Sequence, residues 1–389
     1  MLFFWALFDA SFSYMVPVVI TASGYSKTFM GVILGTSSIF GAAFDFFLTK
    51  FLHNIHFRRI YLVMFSLCFF SPALLFKGNP VWVFVGAMAL WGFYYDLFNF
   101  GNVDFVSRKA LPDEHSRSFG VIWMFRALGY TIAPLIIGSI AGETLGIAPY
   151  FFMWSVISFA IALFFILLYL DKTHPQTEYV SEIPVPNLCM SRELVLWKKV
   201  GKILFPILIM TWYVWIYDAF FWTIGPLMSD VLKGVSGLNG LFLTIYTVPP
   251  LIFGFLVSSV NRKLGKKRTA HLCCFTAGVL LASFFLIHNP YYILFATLCA
   301  SICMAFSIPS LNAAYADYVT ESPKVEKEIE ALQDFFTNIG YIIGPILAGF
   351  LADKVGNILS FSYLGVAGMI ITTIAFFVTP EKIHVIVER

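Results

Sequence analysis

The chain has 389 residues, 59% of them hydrophobic and only 12% charged, whereas an ordinary soluble domain carries roughly 25% charged residues. That composition excludes a soluble enzyme, and a formal net charge of +3 gives no reason to expect nucleic acid as a partner. Apolar runs of about 20 residues follow one another almost end to end, each long enough to cross the hydrocarbon layer of a lipid bilayer as a helix. Their continuity excludes the alternating pattern of a membrane β-barrel, so the fold class is an all-α polytopic membrane protein.

In chain order, spans are expected at residues 2–22, 28–52, 58–77, 80–108, 116–141 and 147–170, then at 202–228, 236–260, 267–288, 290–318, 327–352 and 357–379. The first begins at Met1 and carries Asp9 in mid-run, unlike a cleaved signal peptide. His53 and His56 lie after the second span, beside Arg58 and Arg59, and are expected to be solvated. In the fourth span Trp91, Tyr95, Asn99 and Asn102 form a stripe with Asp96 beside it. In the fifth, Trp123, Arg126, Tyr130 and Pro134 form another, and Arg126 is the only basic residue at depth.

Residues 171–200 contain Pro175, Pro184 and Pro186 and end in Arg192, Glu193, Lys198 and Lys199. They read as a cytoplasmic linker with a short surface helix at its end, between a bundle at 1–170 and a second at 201–389. In the seventh span Thr211, Trp215, Asp218, Trp222 and Gly225 recur at steps of three and four, giving one aromatic helical face with a single carboxylate. Asn312 lies in the tenth span, and Asp334, Asn338 and Tyr341 share a face of the eleventh. Five of the six cysteines lie in apolar runs and read as packing residues; no metal site or cofactor is expected. No phosphate-binding glycine loop is present, which argues against ATP-driven pumping.

With twelve spans, 20 of the 25 basic residues fall on one side, four on the other, and Arg126 within a span. The positive-inside rule then places both termini and the linker in the cytoplasm. The halves also match one another. Asp9-Ala10-Ser11-Phe12 with Pro17 corresponds to Asp218-Ala219-Phe220-Phe221 with Pro226, and Leu128-Gly129-Tyr130-Thr131-Ile132-Ala133-Pro134 with Gly138 corresponds to Ile339-Gly340-Tyr341-Ile342-Ile343-Gly344-Pro345 with Gly349. The fourth span of each half ends in a matching aspartate, Asp104 or Asp317. Such spaced matches mark a duplicated six-helix unit, and two like-oriented halves around a cavity imply alternating access.

Gly41-Ala42-Ala43-Phe44-Asp45 followed by Arg58-Arg59, with the second copy at Gly254 to Arg268, resembles the signature loop of the major facilitator superfamily. The first copy's basic pair comes late, and the second copy has Ser258 where the aspartate would stand. The motifs around Gly129 and Pro134, and around Gly340, Gly344 and Pro345, resemble the helix-bend motif of that family's drug–proton antiporters. The arginine of their fourth-helix motif is absent from residues 80–105. The resemblance implies two pseudo-symmetric six-helix bundles. It also implies gating clusters built from Gly41, Asp45, Arg58, Arg59 and Asp104, and from Arg262, Lys266 and Asp317.

An ionised side chain in hydrocarbon is costly unless it faces water or a partner, so each charge at depth is a functional candidate. Asp9 and Asp218 lead as proton-coupling residues, with Asp96 third; the competing reading is that they only bond neighbouring helices. Trp5, Asn99, Arg126, Trp215, Trp222, Asn312, Asp334 and Asn338 are candidates for the substrate cavity. Arg126 either binds an anionic group or pairs with Asp96 or Asp9, the ion pair being favoured, and Asn312 and Asn338 either touch substrate or pin helices together. Tyr130 and Tyr341 are expected to pack at the proline bends. The function expected is secondary active transport of a small organic solute by a monomer in the lipid bilayer, coupled to protons. The alternatives are a facilitative uniporter and a non-transporting sensor or assembly partner on the same fold.

Overall fold

The computed structural model describes residues 1–51, 56–78, 80–111, 114–141, 145–173, 190–230, 232, 240–287, 289–322 and 325–379. Among them every regular element is helical. The first half contains α1 (Leu2–Ala22), α2 (Lys27–Phe51), α3 (Phe57–Phe76), α4 (Val81–Lys109), α5 (His115–Ala141) and α6 (Ala148–Thr173). The second contains α7 (Met190–Ile224), α8 (Leu241–Phe253), α9 (Val257–Leu264), α10 (Lys266–Ala282), α11 (Pro290–Glu321), α12 (Glu326–Val355) and α13 (Asn357–Val378). Together α8 and α9 make one span, so twelve segments are long and apolar enough to cross a membrane.

Local chemistry sets the helix ends. His56 caps α3 by accepting the Arg58 amide at 3.3 Å, and Asn289 caps α11 by accepting the Tyr291 amide at 2.9 Å, with Pro290 in the first turn. Both supply an acceptor to an amide that has no partner within the helix. His56 is thus a structural cap, while His53 lies outside the described residues. Gly265 and Gly356 adopt φ of 88° and 89° between α9 and α10 and between α12 and α13. Those single-residue connections need the left-handed region that glycine enters without a Cβ penalty.

Two spans differ from the sequence expectation. α7 starts at Met190, so the charged stretch expected at the end of the linker forms the first turns of the seventh helix instead of a separate one. The eighth span is interrupted by a 3-10 turn at Gly254–Leu256, downstream of Pro249 and Pro250. Pro250 has no N–H to give the Tyr246 carbonyl one turn back; the Ser301 hydroxyl of α11 donates to that carbonyl instead. Ser301→Ala therefore leaves a buried carbonyl unpaired, and thermal unfolding in detergent should register a loss of about 1–3 kcal/mol. In α3, Ser71 donates to the Cys68 carbonyl freed by Pro72, at 3.0 Å.

By internal contacts the chain forms two compact units, one of Met1–Pro184 with Trp222–Thr244, the other of Val185–Phe221 with Ile245–Arg389. In the first, α1 packs along α5 and α6, α3 lies against α4 and α6, and α2 lies against α4. Every residue of α1 from Trp5 to Pro17 is buried, as expected of a helix apolar all round. In the second unit α10 packs against α11 and α13, with α12 beside α13. Phe70, Trp82, Phe255 and Phe377 are among many large apolar side chains left exposed, as suits a surface whose solvent is lipid.

Glycine permits close helix approaches in both units, and the two matching ones bear on the carboxylates. A Cβ on Gly129 of α5 would lie 2.7 Å from the Ala6 Cβ and 2.8 Å from the Leu7 amide nitrogen of α1; one on Gly340 of α12 would lie 2.8 Å from the Trp215 Cβ of α7. Gly344 adds a second contact in the latter pair, 2.6 Å from the Ala219 Cβ. These residues of the glycine–proline motif act first as helix-crossing points, with Pro134 and Pro345 lying within continuous helices.

Candidate functional site

Asp9 sits at the middle of α1 and is fully buried. Three donors converge on it: Trp91 Nε1 at 3.0 Å and the Tyr94 hydroxyl at 2.8 Å reach Oδ1, and the Tyr130 hydroxyl donates to Oδ2. Trp91 and Tyr94 are three residues apart and so share a face of α4. Tyr130 is brought within reach by the crossing at its neighbour, Gly129. Trp5, one turn before Asp9, is also buried and stacks on Phe98 with centroids 3.5 Å apart and planes inclined by 7°.

Asp218, half-buried in α7, has the matching arrangement. The Tyr246 hydroxyl donates to Oδ1 at 2.5 Å and the Tyr341 hydroxyl to Oδ2 at 2.8 Å. Tyr246 stacks on Phe221 at 4.0 Å, and Trp215 lies 5.3 Å from the Tyr341 ring. Tyr341 follows Gly340 as Tyr130 follows Gly129. In both units, then, a carboxylate on the first helix accepts a tyrosine hydroxyl from the fifth. Besides the packing expected of these tyrosines near the prolines, each directs its hydroxyl to a carboxylate. Trp222 belongs with the first unit, edge-on to Tyr130 at 5.4 Å.

Arg126 departs from the ion pair favoured on sequence. Its guanidinium donates to the Tyr95 hydroxyl and lies over four rings, at 4.8 Å from Trp123, 4.9 Å from Tyr95, 5.3 Å from Tyr130 and 5.9 Å from Phe98. Among the described residues it has no carboxylate in salt-bridge contact. The physical reason is that the oxygens of Asp9 are engaged by tyrosine and tryptophan donors, and Asp96 lies on the α2 side of α4. There, a Cβ on Gly41 would come within 2.7 Å of the Asp96 Oδ2, so Gly41 makes room for that carboxylate. At the position matching Arg126, Thr337 returns its hydroxyl to the Gln333 carbonyl at 3.0 Å.

The polar candidates of the second unit form a different set. Gln333, missed on sequence, donates to Asn312 at 3.0 Å and so links α12 to α11, while Asn338 donates to Asp334 at 3.2 Å within α12. Asn99 is exposed on α4, whereas Asn102 accepts the Tyr61 hydroxyl at 2.7 Å and holds α4 to α3.

At the ends of the helices, Asp104 accepts the Phe57 amide at 2.7 Å and pairs with Arg108 at 2.8 Å. Arg108 was not among the expected partners, although its spacing of four from Asp104 is the signal for such a pair. The matching Asp317 pairs with Lys266 at 2.5 Å. Both aspartates thus meet the first residue of the third helix of their own half, once through its amide and once through its side chain. Arg58 lies over the Phe57 ring at 5.7 Å, and Arg59 and Arg262 are exposed. The side chain of Asp45 lies outside the described residues. Lys266→Ala should leave Asp317 without its ion pair and lower stability by no more than about 1 kcal/mol, because the pair is half-exposed; a chemical-denaturation midpoint in detergent checks this.

Twelve membrane-length helices among the described residues, with a carboxylate repeated on the first helix of each half, mark a multi-pass membrane protein. The sequence profile described as Major Facilitator Superfamily matches residues 1–325 and, in a second alignment, residues 207–388, and the chain belongs to that superfamily. No curated protein sequence matches it. Among solved structures, a variant of the nucleoside transporter NupG is similar over 97% of this chain and 96% of its own, with 12% identity and a TM-score of 0.74. A bacterial homologue of the human lysosomal transporter Spinster, in an inward-facing and unoccupied conformation, is similar over 97% and 95%, with 11% identity and a TM-score of 0.75. A sulfate complex of a variant of the peptide transporter POT is similar over 97% and 94%, with 13% identity and a TM-score of 0.73. At those identities the likeness is one of fold.

Proposed function

We propose that the protein is a secondary active transporter that carries a small organic solute across the cytoplasmic membrane by alternating access, coupled to protons through Asp9 and Asp218. The observation that carries this reading is the repeated carboxylate–tyrosine pair, Asp9 with Tyr130 and Asp218 with Tyr341. An ionised Asp9 accepts the Tyr130 hydroxyl. A proton added at Oδ2 makes that atom a donor, and the Tyr130 oxygen must then accept while its own hydrogen turns to another partner. Loading a proton therefore removes a charge from the interior and reverses a hydrogen bond between the first and fifth helices. That is a differential contact able to bias a two-state equilibrium.

The solved relatives named for nucleoside and peptide transport support a small organic solute as cargo. The basic asymmetry of the loops supports cytoplasmic termini. The glycine–proline motifs favour kinship with drug–proton antiporters, and the missing arginine of the fourth helix counts against it. Asp96, lodged against Gly41, is the third candidate for proton binding.

Proteoliposomes with a trapped pH dye test the coupling. Nucleosides, dipeptides and aromatic carboxylates are added as probes, and a solute-dependent proton flux is expected in the wild type and lost in Asp9→Asn and Asp218→Asn. Solute entry without proton movement would refute it.

A further inference from the structure

We infer that Arg126 and the rings around it bind the carboxylate of an organic anion with an apolar or aromatic body, an inference that rests on the transporter reading above. A guanidinium carries five N–H donors in a planar fork, and the described residues offer Arg126 one acceptor, the Tyr95 hydroxyl. Its charge is permanent, it lies in mid-span, and it is only half-buried. A cation cannot turn its exposed side to hydrocarbon, so that side faces water or a ligand. The nearest internal counter-charge, Asp9, is occupied by Trp91, Tyr94 and Tyr130. The fork is left for an acceptor from outside the protein.

The surroundings specify what the acceptor is attached to. Trp123, at 59% exposure, and Tyr95 flank the guanidinium and offer ring faces to an apolar body. Asn99, one turn along α4 from Tyr95, is exposed on the same helix face. The rings also hold the guanidinium in place, which lowers the entropy lost when two of its donors engage a carboxylate side by side. The second unit has Thr337 at the matching position, its hydroxyl turned back on its own helix. The matching position of the second unit therefore lacks a guanidinium fork. Because the Tyr130 ring lies under the guanidinium while its hydroxyl bonds Asp9, the anion and the coupling proton act on the same side chain.

Equilibrium binding to the full chain in nanodiscs tests this without transport. Benzoate, indole-3-acetate and hexanoate are compared with benzamide, indole-3-acetamide and hexanamide by thermal shift and tryptophan fluorescence. At least one of the acids should stabilise the wild type and perturb its fluorescence, while the neutral amides do neither. Arg126→Lys, which keeps the charge but not the fork, should weaken that binding about 10-fold, and Arg126→Gln about 100-fold. Trp123→Phe should remove most of the fluorescence change and also weaken acid binding, because the ring face it offers the apolar body is smaller. Equal binding of acid and amide, equal binding by wild type and Arg126→Lys, or no response to any of the three acids would overturn the assignment. Binding of acids without proton-coupled flux would leave it standing and sink the coupling proposal; coupled flux of a neutral solute alone would do the reverse.

Discussion

Asp9→Asn is expected to abolish proton-driven accumulation in proteoliposomes while leaving solute counterflow near the wild-type rate, and Asp218→Asn is expected to do the same. The geometry makes asparagine an unusually clean probe at Asp9. Trp91 and Tyr94 both donate to Oδ1, and the amide oxygen of asparagine can take that place. Tyr130 alone addresses Oδ2; the amide nitrogen there would donate to its oxygen, with the hydroxyl turned round. Asparagine thus mimics the protonated carboxyl and should fold, bind solute and exchange it. What it cannot do is release a proton. With one proton per solute, a gradient of one pH unit is worth about 1.4 kcal/mol, or about tenfold accumulation, and the variant should bring that ratio to one. Tenfold accumulation by both single variants would leave neither carboxylate as the coupling site.

Tyr130→Phe and Tyr341→Phe separate the proton site from its reporter. Each removes the hydroxyl from Oδ2 of its aspartate while keeping the ring in the packing against Trp222 or Trp215. If the tyrosines sense protonation, these variants bind protons but lose tight coupling, seen as solute leak under a pH gradient.

The largest effect on assembly is expected at Gly129 and Gly340. In Gly129→Val the new Cβ would press on the Ala6 Cβ and on the Leu7 nitrogen of α1. Backbone cannot rotate away as a side chain can, so α1 and α5 must separate. Overpacking alone costs about 1–3 kcal/mol, and the displacement also draws Tyr130 from a fully buried carboxylate, whose stranding costs about as much again or more. Poor expression, early unfolding in detergent and loss of coupling should coincide. Gly340→Val should act likewise through Trp215. The control is Gly120→Ala in the same helix as Gly129: nothing lies within 4 Å of its Cβ position, and the better helix former should leave stability equal or slightly raised. Normal stability of Gly129→Val would show that the crossing is not glycine-dependent.

Much of this molecule is legible in one dimension. A helix crossing lipid must satisfy its own backbone and present an apolar surface over a set length, so the spans could be drawn from hydropathy to within a few residues in most cases. The exceptions were α7 and the eighth span, where charge outside the bilayer and a proline pair leave hydropathy uninformative about where the helix runs. The duplication was equally legible, because Asp9 with Asp218 and Gly129 with Gly340 recur at constant spacing. The candidacy of the two aspartates followed from the cost of charge in hydrocarbon alone.

Partners were another matter. Helical periodicity assigns a residue to a face but does not say which helix that face meets. Tyr94, Tyr130, Tyr246 and Tyr341 look like ordinary amphipathic packing residues until α4, α5, α8 and α12 are placed against α1 and α7. Arg126 likewise carried a charge that invited an ion pair, and its setting among rings appeared only once α4 and α5 were side by side. By itself, then, the sequence determined the membrane class, the twelve spans, the repeat and the rare charges at depth, each a consequence of local composition and of solvation in lipid. Only the tertiary structure decided which hydroxyl meets which carboxylate, because a hydrogen bond depends on a few ångströms between helices far apart in the chain.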